Sequence, residues 1–139
     1  MTTSLNVIDA PGGSVLHAMK SSNDGFLGFG EAYFSTIDFK SIKGWKRHKE
    51  MTLNLIVPIG AVRFILYDNA AKGNSAKEFQ EVILSRSENY ARLTVPPKIW
   101  LGFQGLDHNT NIILNLADIE HDPDEVDRKG LNEIKFNWS

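Results

Sequence analysis

A chain of 139 residues, 42% apolar and 23% charged, has the size and balance of one globular domain with its own core; disordered, collagen-like and coiled-coil architectures are excluded. Fifteen basic residues against seventeen acidic ones give a net charge of −2, which leaves no basic field to hold nucleic acid or an anionic membrane. There is no cysteine, so disulfide frameworks, thiolate zinc sites and thiol nucleophiles fall away as well.

In chain order, Leu5 to Lys20 contains the turn signal Pro11-Gly12-Gly13 and then Ser14 to Lys20, which reads as a short helix or an edge strand. Ser21 to Gly25 is loop by composition. Glu31 to Ile37 alternates around Tyr33 and Phe34 and predicts a strand. Met51 to Val57 is apolar apart from Asn54, Pro58-Ile59-Gly60 breaks it, and Ala61 to Tyr67 follows at once. That pattern predicts a hairpin with Gly60 at its turn. Asp68 to Ala76 is a polar loop. Phe79 to Leu84 and Tyr90 to Val95 are further strands, the second stopped by Pro96-Pro97, which offer no N–H to a ladder. Asn111 to Ala117 is the last strong strand.

Beyond it, Asp122-Pro123-Asp124-Glu125 has the residues of a capped helical turn and predicts a short C-terminal helical segment. At least six short strands separated by turns predict an all-β sandwich or barrel. No apolar run approaches the roughly 20 residues that span a bilayer. Met1 to Ala10 lacks the basic and apolar regions of a signal peptide. The expectation is one cytoplasmic domain over residues 1–139, with no membrane and no nucleic-acid partner.

The densest polar cluster is Gly44-Trp45-Lys46-Arg47-His48-Lys49-Glu50, directly before an apolar strand. In extended backbone Lys46 and His48 share one face, and Arg47 and Lys49 share the other. Cations beside an imidazole disfavour its charged form, which makes His48 a candidate general base; the alternative is a solvated basic loop. Against the ligand pattern of metal cupins, Lys46 takes the first histidine position, His48 the second and Leu53 the third. The later strand offers Trp100-Leu101-Gly102 where the last histidine would stand. Transition metals ask for about three or more protein ligands, so neither a metal nor another cofactor is expected.

His17 and His108 read as exposed or structural, and His121 as part of a helix start. No nucleophile elbow, phosphate loop or dinucleotide fingerprint occurs. Tyr33 and Tyr67 are candidate proton donors, with a packed phenol as the alternative for each. Trp100 reads either as a stacking platform or as a core aromatic. Arg63, between Val62 and Phe64, points to water or into a polar pocket.

Five stretches then come in a telling order: Lys43 to Lys49, the interval from His48 to Gly60, Leu93 to Trp100 with Pro96-Pro97-Lys98-Ile99-Trp100, Leu114 to Asp118, and His121 to Asp124. Their order and spacing, over roughly residues 28 to 138, resemble the RmlC-like sugar-nucleotide cupins. These are the dTDP-4-dehydrorhamnose 3,5-epimerases and the related dTDP-sugar 3,4-ketoisomerases. The resemblance implies a cupin jelly-roll β-barrel, usually a homodimer. It implies proton abstraction without a metal from a nucleoside-diphosphate 4-keto-6-deoxy sugar, preferably dTDP-linked, in cell-surface polysaccharide biosynthesis. A carbonyl at C4 acidifies the hydrogens at C3 and C5, and the enolate left by a base is reprotonated with inversion or with movement of the carbonyl.

By that resemblance His48 takes the base position, Lys46 stands as an enolate-stabilising cation, and Tyr33 aligns with a ketoisomerase strand tyrosine; Tyr33 or Tyr67 supplies the acid. The epimerases' acid-bearing Tyr-Lys pair falls at Leu114-Asn115 and another of their lysines at Leu53 or Asn54. Asn54, Asn115 and Trp100 become candidate substrate contacts. Arg47, Lys49 and Arg63 become candidates for the pyrophosphate. The alternatives are a 3,4-ketoisomerase and a sugar-nucleotide-binding cupin without catalysis.

Overall fold

Short runs with apolar side chains at every second position bury one face by stacking as sheets. The computed structural model, which describes residues 1–69 and 79–139, shows two large ones. Apart from Asp68 and Asn69, the polar loop expected at Asp68 to Ala76 lies outside the described residues. The strands are β1 (Thr2–Ser4), β2 (Val7–Ile8), β3 (Val15–Leu16), β4 (Glu31–Thr36), β5 (Ile42–His48) and β6 (Leu53–Ile59). They continue with β7 (Ala61–Tyr67), β8 (Phe79–Ser85), β9 (Ala91–Val95), β10 (Trp100–Gly105), β11 (Ile112–Ala117) and β12 (Val126–Arg128). One five-stranded sheet has the order β1-β9-β6-β11-β4, the other β12-β5-β10-β7-β8, and their pairs are antiparallel. β2 and β3 form a separate ribbon, so part of Ser14 to Lys20 is strand.

The main core lies between the two sheets. Leu53, Leu55 and Val57 of β6, Leu93 and Val95 of β9, and Ile113 of β11 face Val62, Phe64 and Leu66 of β7 and Leu101 of β10. A second cluster covers the outer face of the β5-β10-β7 sheet, where Trp45, Ile65 and Trp100 pack under Ile134, Phe136 and Trp138 of the C-terminal segment. Trp45 Nε1 donates to the Ile134 carbonyl at 3.1 Å and ties that segment down.

Two expectations need correction. β6 and β7 are not a hairpin, because they belong to different sheets and Gly60 turns a corner between them. Gly60 has φ +84°, and a Cβ there would run into Asn111 and the Thr110 carbonyl. β6 continues through Pro58 because the register against β11 shifts there and pairing with β9 has ended at Ile56, so the missing N–H is not needed. The C-terminal helical segment is also absent. Asp122 caps and Pro123 opens a turn as expected, but it ends after one 3-10 turn, Pro123–Glu125. Val126 is already extended and pairs with His48 across β12 and β5, so ladder hydrogen bonds replace helical ones.

Periodicity did not mark β5 and β10 as strands; they entered only as extended backbone around His48 and as the later strand of the cupin ligand pattern. β5 is basic and carries an extra residue near Gly44-Trp45 against β10, and β10 contains two glycines. Neither feature gives a clean period of two.

Candidate active site

The extra residue in β5 decides what enters the space between the sheets. Lys43 and Lys46, three residues apart, would point to opposite faces of a regular strand; with the register shift both line the same hollow. This hollow, about 190 Å³, lies between the sheets and is also bounded by Tyr33 and Ser35 of β4, Phe103 of β10 and Asn115 of β11. A cavity of about 450 Å³ adjoins it, sharing Lys43, Lys46, Leu101 and Phe103 and adding Arg128 to Gly130. Together they fall within the roughly 300–1,000 Å³ of small-molecule sites.

His48 lies on the Lys46 side of β5 and is 7% exposed. Its ring borders a narrow apolar recess that shares Lys46, Leu53 and Leu101 with the hollow. His48 Nδ1 is hydrogen-bonded to Glu125 Oε1. Glu125 Oε2 accepts from the backbone N–H groups of Glu50 and Met51, each at 3.1 Å. Burial by itself would raise the Glu125 carboxyl. The hydrogen bonds from His48, Glu50 and Met51 and the attraction of the imidazole outweigh it and hold the group below the ordinary carboxyl range. An ionised Glu125 fixes the Nδ1–H tautomer and leaves Nε2 as the basic nitrogen. Glu125 was not found from the sequence: it is 77 residues from its partner, and its local signal was that of a helical turn.

Lys46 sits beside this pair. Burial first, and then the Arg128 guanidinium directly across the β12–β5 ladder, push its ammonium below the ordinary lysine value, while Glu125 and Glu31 oppose the shift. On the far wall Asn115 Nδ2 donates to the Tyr33 hydroxyl at 2.7 Å. Tyr33 is 40% exposed, whereas Asn115 is 5% exposed. Among the described residues, no group of three or more His, Asp and Glu side chains comes together with the disposition of a metal site.

The other expected site residues lie elsewhere, and alternation explains each case. Lys46 and His48 face inward, so Arg47 faces outward, where it pairs with Asp127 at 2.9 Å and lies over the Trp100 ring. With Val62, Phe64 and Leu66 in the core, Arg63 and Tyr67 are on the outer face. Arg63 bonds Glu81 and the Trp138 carbonyl, and Tyr67 stacks on Phe79. Trp100 is buried in the outer cluster, one residue out of phase with Leu101. Asn54, between inward Leu53 and Leu55, accepts from Thr94 Oγ1 and donates to the Gly25 carbonyl on the opposite side of its sheet. Lys49 is exposed past the end of β5 and donates to the Asp124 carbonyl. The hollow therefore gathers Tyr33, Lys46 and Asn115 with His48 adjoining, and it does not gather Arg47, Lys49, Asn54, Arg63, Tyr67 or Trp100.

No family model and no curated protein matches the chain. Among solved structures it is similar to a dTDP sugar isomerase from Desulfovibrio desulfuricans G20, with a TM-score of 0.92 and 35% identity over 99% of this chain and 89% of that one. It also shares its fold with QdtA, a sugar 3,4-ketoisomerase from Thermoanaerobacterium thermosaccharolyticum in complex with TDP. That match has a TM-score of 0.75 and 18% identity, over 93% of this chain and 87% of the other. RmlC, a dTDP-6-deoxy-D-glucose-3,5-epimerase from Legionella pneumophila Philadelphia 1 in complex with dTDP-4-keto-L-rhamnose, has the fold as well. Its TM-score is 0.77 and its identity 16%, over 91% and 70% of the two chains.

Proposed function

Because this chain belongs to the dTDP-sugar isomerase family, we propose that it is a nucleotide-sugar isomerase that epimerises C3, C5 or both of a dTDP-linked 4-keto-6-deoxy sugar. The order of the two sheets supports the jelly-roll form of the cupin barrel. The observation that carries the chemistry is the buried His48–Glu125 pair beside Lys46, at the recess that adjoins the hollow. Nε2 of His48 takes the proton from the carbon next to the ketone, and Glu125 stabilises the imidazolium that forms. Negative charge then develops on the ketone oxygen, where the Lys46 ammonium offsets it. Tyr33, across the hollow, returns a proton. These steps use side chains alone.

The cations that serve the diphosphate in this reading are Lys43 and Arg128, in place of Arg47, Lys49 and Arg63, which face the other way. Arg128 stands directly opposite Lys46, and like charges paired across a ladder destabilise it unless an anion lies between them. Arg128→Met is expected to weaken dTDP binding about tenfold, the scale of one charge-assisted hydrogen bond. Titration calorimetry at low salt measures this, and an unchanged affinity would remove Arg128 from the nucleotide site. The homodimer implied by the family is supported by Leu27, Phe29 and Phe34, 67%, 68% and 70% exposed beside the edge strand β4. A cytoplasmic location and a role in cell-surface polysaccharide synthesis accompany this substrate class.

Incubation with dTDP-linked 4-keto-6-deoxy sugars in deuterated water tests the proposal. Deuterium at C3, C5 or both with inversion is the expected result. Label with migration of the carbonyl to C3 would make the enzyme a 3,4-ketoisomerase. Tight binding with no exchange of any carbon-bound hydrogen would leave only a sugar-nucleotide-binding protein.

A further inference from the structure

We propose that Asn115 is a positioning residue for Tyr33: it holds the phenol so that its proton faces the hollow, and it stabilises the phenolate left behind. The inference rests on the function proposed above. Tyr33 and Asn115 are directly opposed in the β4–β11 ladder, and the contact is a donation from Asn115 Nδ2 to the phenol oxygen at 2.7 Å. A phenol oxygen that accepts from an amide keeps its own O–H free to give, and the amide excludes that hydrogen from its side. Both residues line the hollow together with Lys46.

The placement suits such a role. β11 lies between β6 and β4, so Asn115 is paired on both sides, to Leu55 and to Tyr33, and its side chain is almost wholly buried. The donor is held on a rigid central strand while the group it directs stays accessible on an edge strand. This differs from the direct substrate contact expected of Asn115 from the sequence.

His48 Nε2 takes the carbon-bound proton, and the C–H electron pair becomes the enolate double bond with the charge on the ketone oxygen. The enolate carbon then takes the Tyr33 proton on the face opposite the base. The O–H electron pair stays on the phenolate oxygen, to which Asn115 N–H donates. The imidazolium and phenolate are reset by proton exchange with water.

The test follows turnover and exchange together in deuterated water. With Asn115→Leu, kcat is expected to fall about tenfold with KM within about twofold, the loss of one hydrogen bond made mainly in the transition state. Label in recovered substrate should rise relative to product, because His48 still removes and returns the proton while delivery from Tyr33 is slowed. Tyr33→Phe should lower kcat about 10²–10³-fold, and the double variant should be no worse than Tyr33→Phe alone. Asn115→Asp keeps the shape but accepts instead of donating; it should shift the partition in the same direction and serves if the leucine variant does not fold. An unchanged partition, an effect on KM alone, or a full Asn115→Leu loss in the Tyr33→Phe background overturns the inference while the proposed function stands. A wild-type enzyme with no exchange on any 4-keto sugar overturns both.

Discussion

His48→Gln is expected to lower turnover by about 10³-fold or more and to abolish deuterium exchange at the sugar carbons, within the range general base catalysis supplies. Glutamine is the informative replacement because its amide can still donate to Glu125, whereas His48→Ala would take the partner from Oε1 of a buried carboxylate and leave it only the Glu50 and Met51 N–H groups on Oε2. Taking a partner from a buried charge costs stability on its own account and would blur the result. The fold, read by thermal unfolding, and the affinity for dTDP, read by calorimetry, should both stay close to wild type. Only the base is lost. Exchange in His48→Gln within tenfold of wild type would show that another group removes the proton. Lys46, the neighbouring nitrogen base at the hollow, would then be the one to examine.

The second large effect is expected from Glu125→Gln. A neutral amide neither fixes the Nδ1–H tautomer nor balances the imidazolium, and removing the carboxylate of a comparable pair costs about 10⁴ in kcat. Turnover should therefore fall by about 10²–10⁴-fold with dTDP affinity little changed. The same substitution has a signature in stability. The folded Glu125 carboxyl titrates below its unfolded value near 4.5, so its stabilising contribution is fully present above about pH 4.5 and is lost as the pH falls toward the lowered folded value. The stability advantage of wild type over Glu125→Gln should thus shrink on acidification below about pH 4.5. Denaturant unfolding across that range measures it, and parallel curves would contradict the ionised, hydrogen-bonded state of Glu125.

Most of the sheet structure was legible because it rests on local order. Tyr33 is visible in an alternating run, the core residues of β6, β7 and β9 in short apolar runs, and the stop at Pro96-Pro97 as a missing donor. His48 was legible in the same way, as a histidine among cations ahead of an apolar run with the spacing of a known group. The arginines and Trp100 misled for one common reason: residue type suggested phosphate or ring contacts, but each is one residue out of phase with the inward face. Deciding the phase of β5 required the extra residue near Gly44-Trp45, and that is defined only by its register against β10.

What the amino-acid sequence determined by itself was an all-β chain, the family of fold, and one histidine that shares a strand face with Lys46. These follow from periodicity, from turn residues and from short motifs whose members are neighbours along the chain. Only the tertiary structure decided that Glu125 orients that imidazole, that Arg128 opposes Lys46, and that Asn115 reaches Tyr33. Each of those pairs spans 77 or more residues of chain and is made by strand pairing or by a turn ending against another strand. Hydrogen bonds and charges act over a few ångströms of space, and one chain's separation in sequence carries no record of which distant side chains the sheets will bring within that reach.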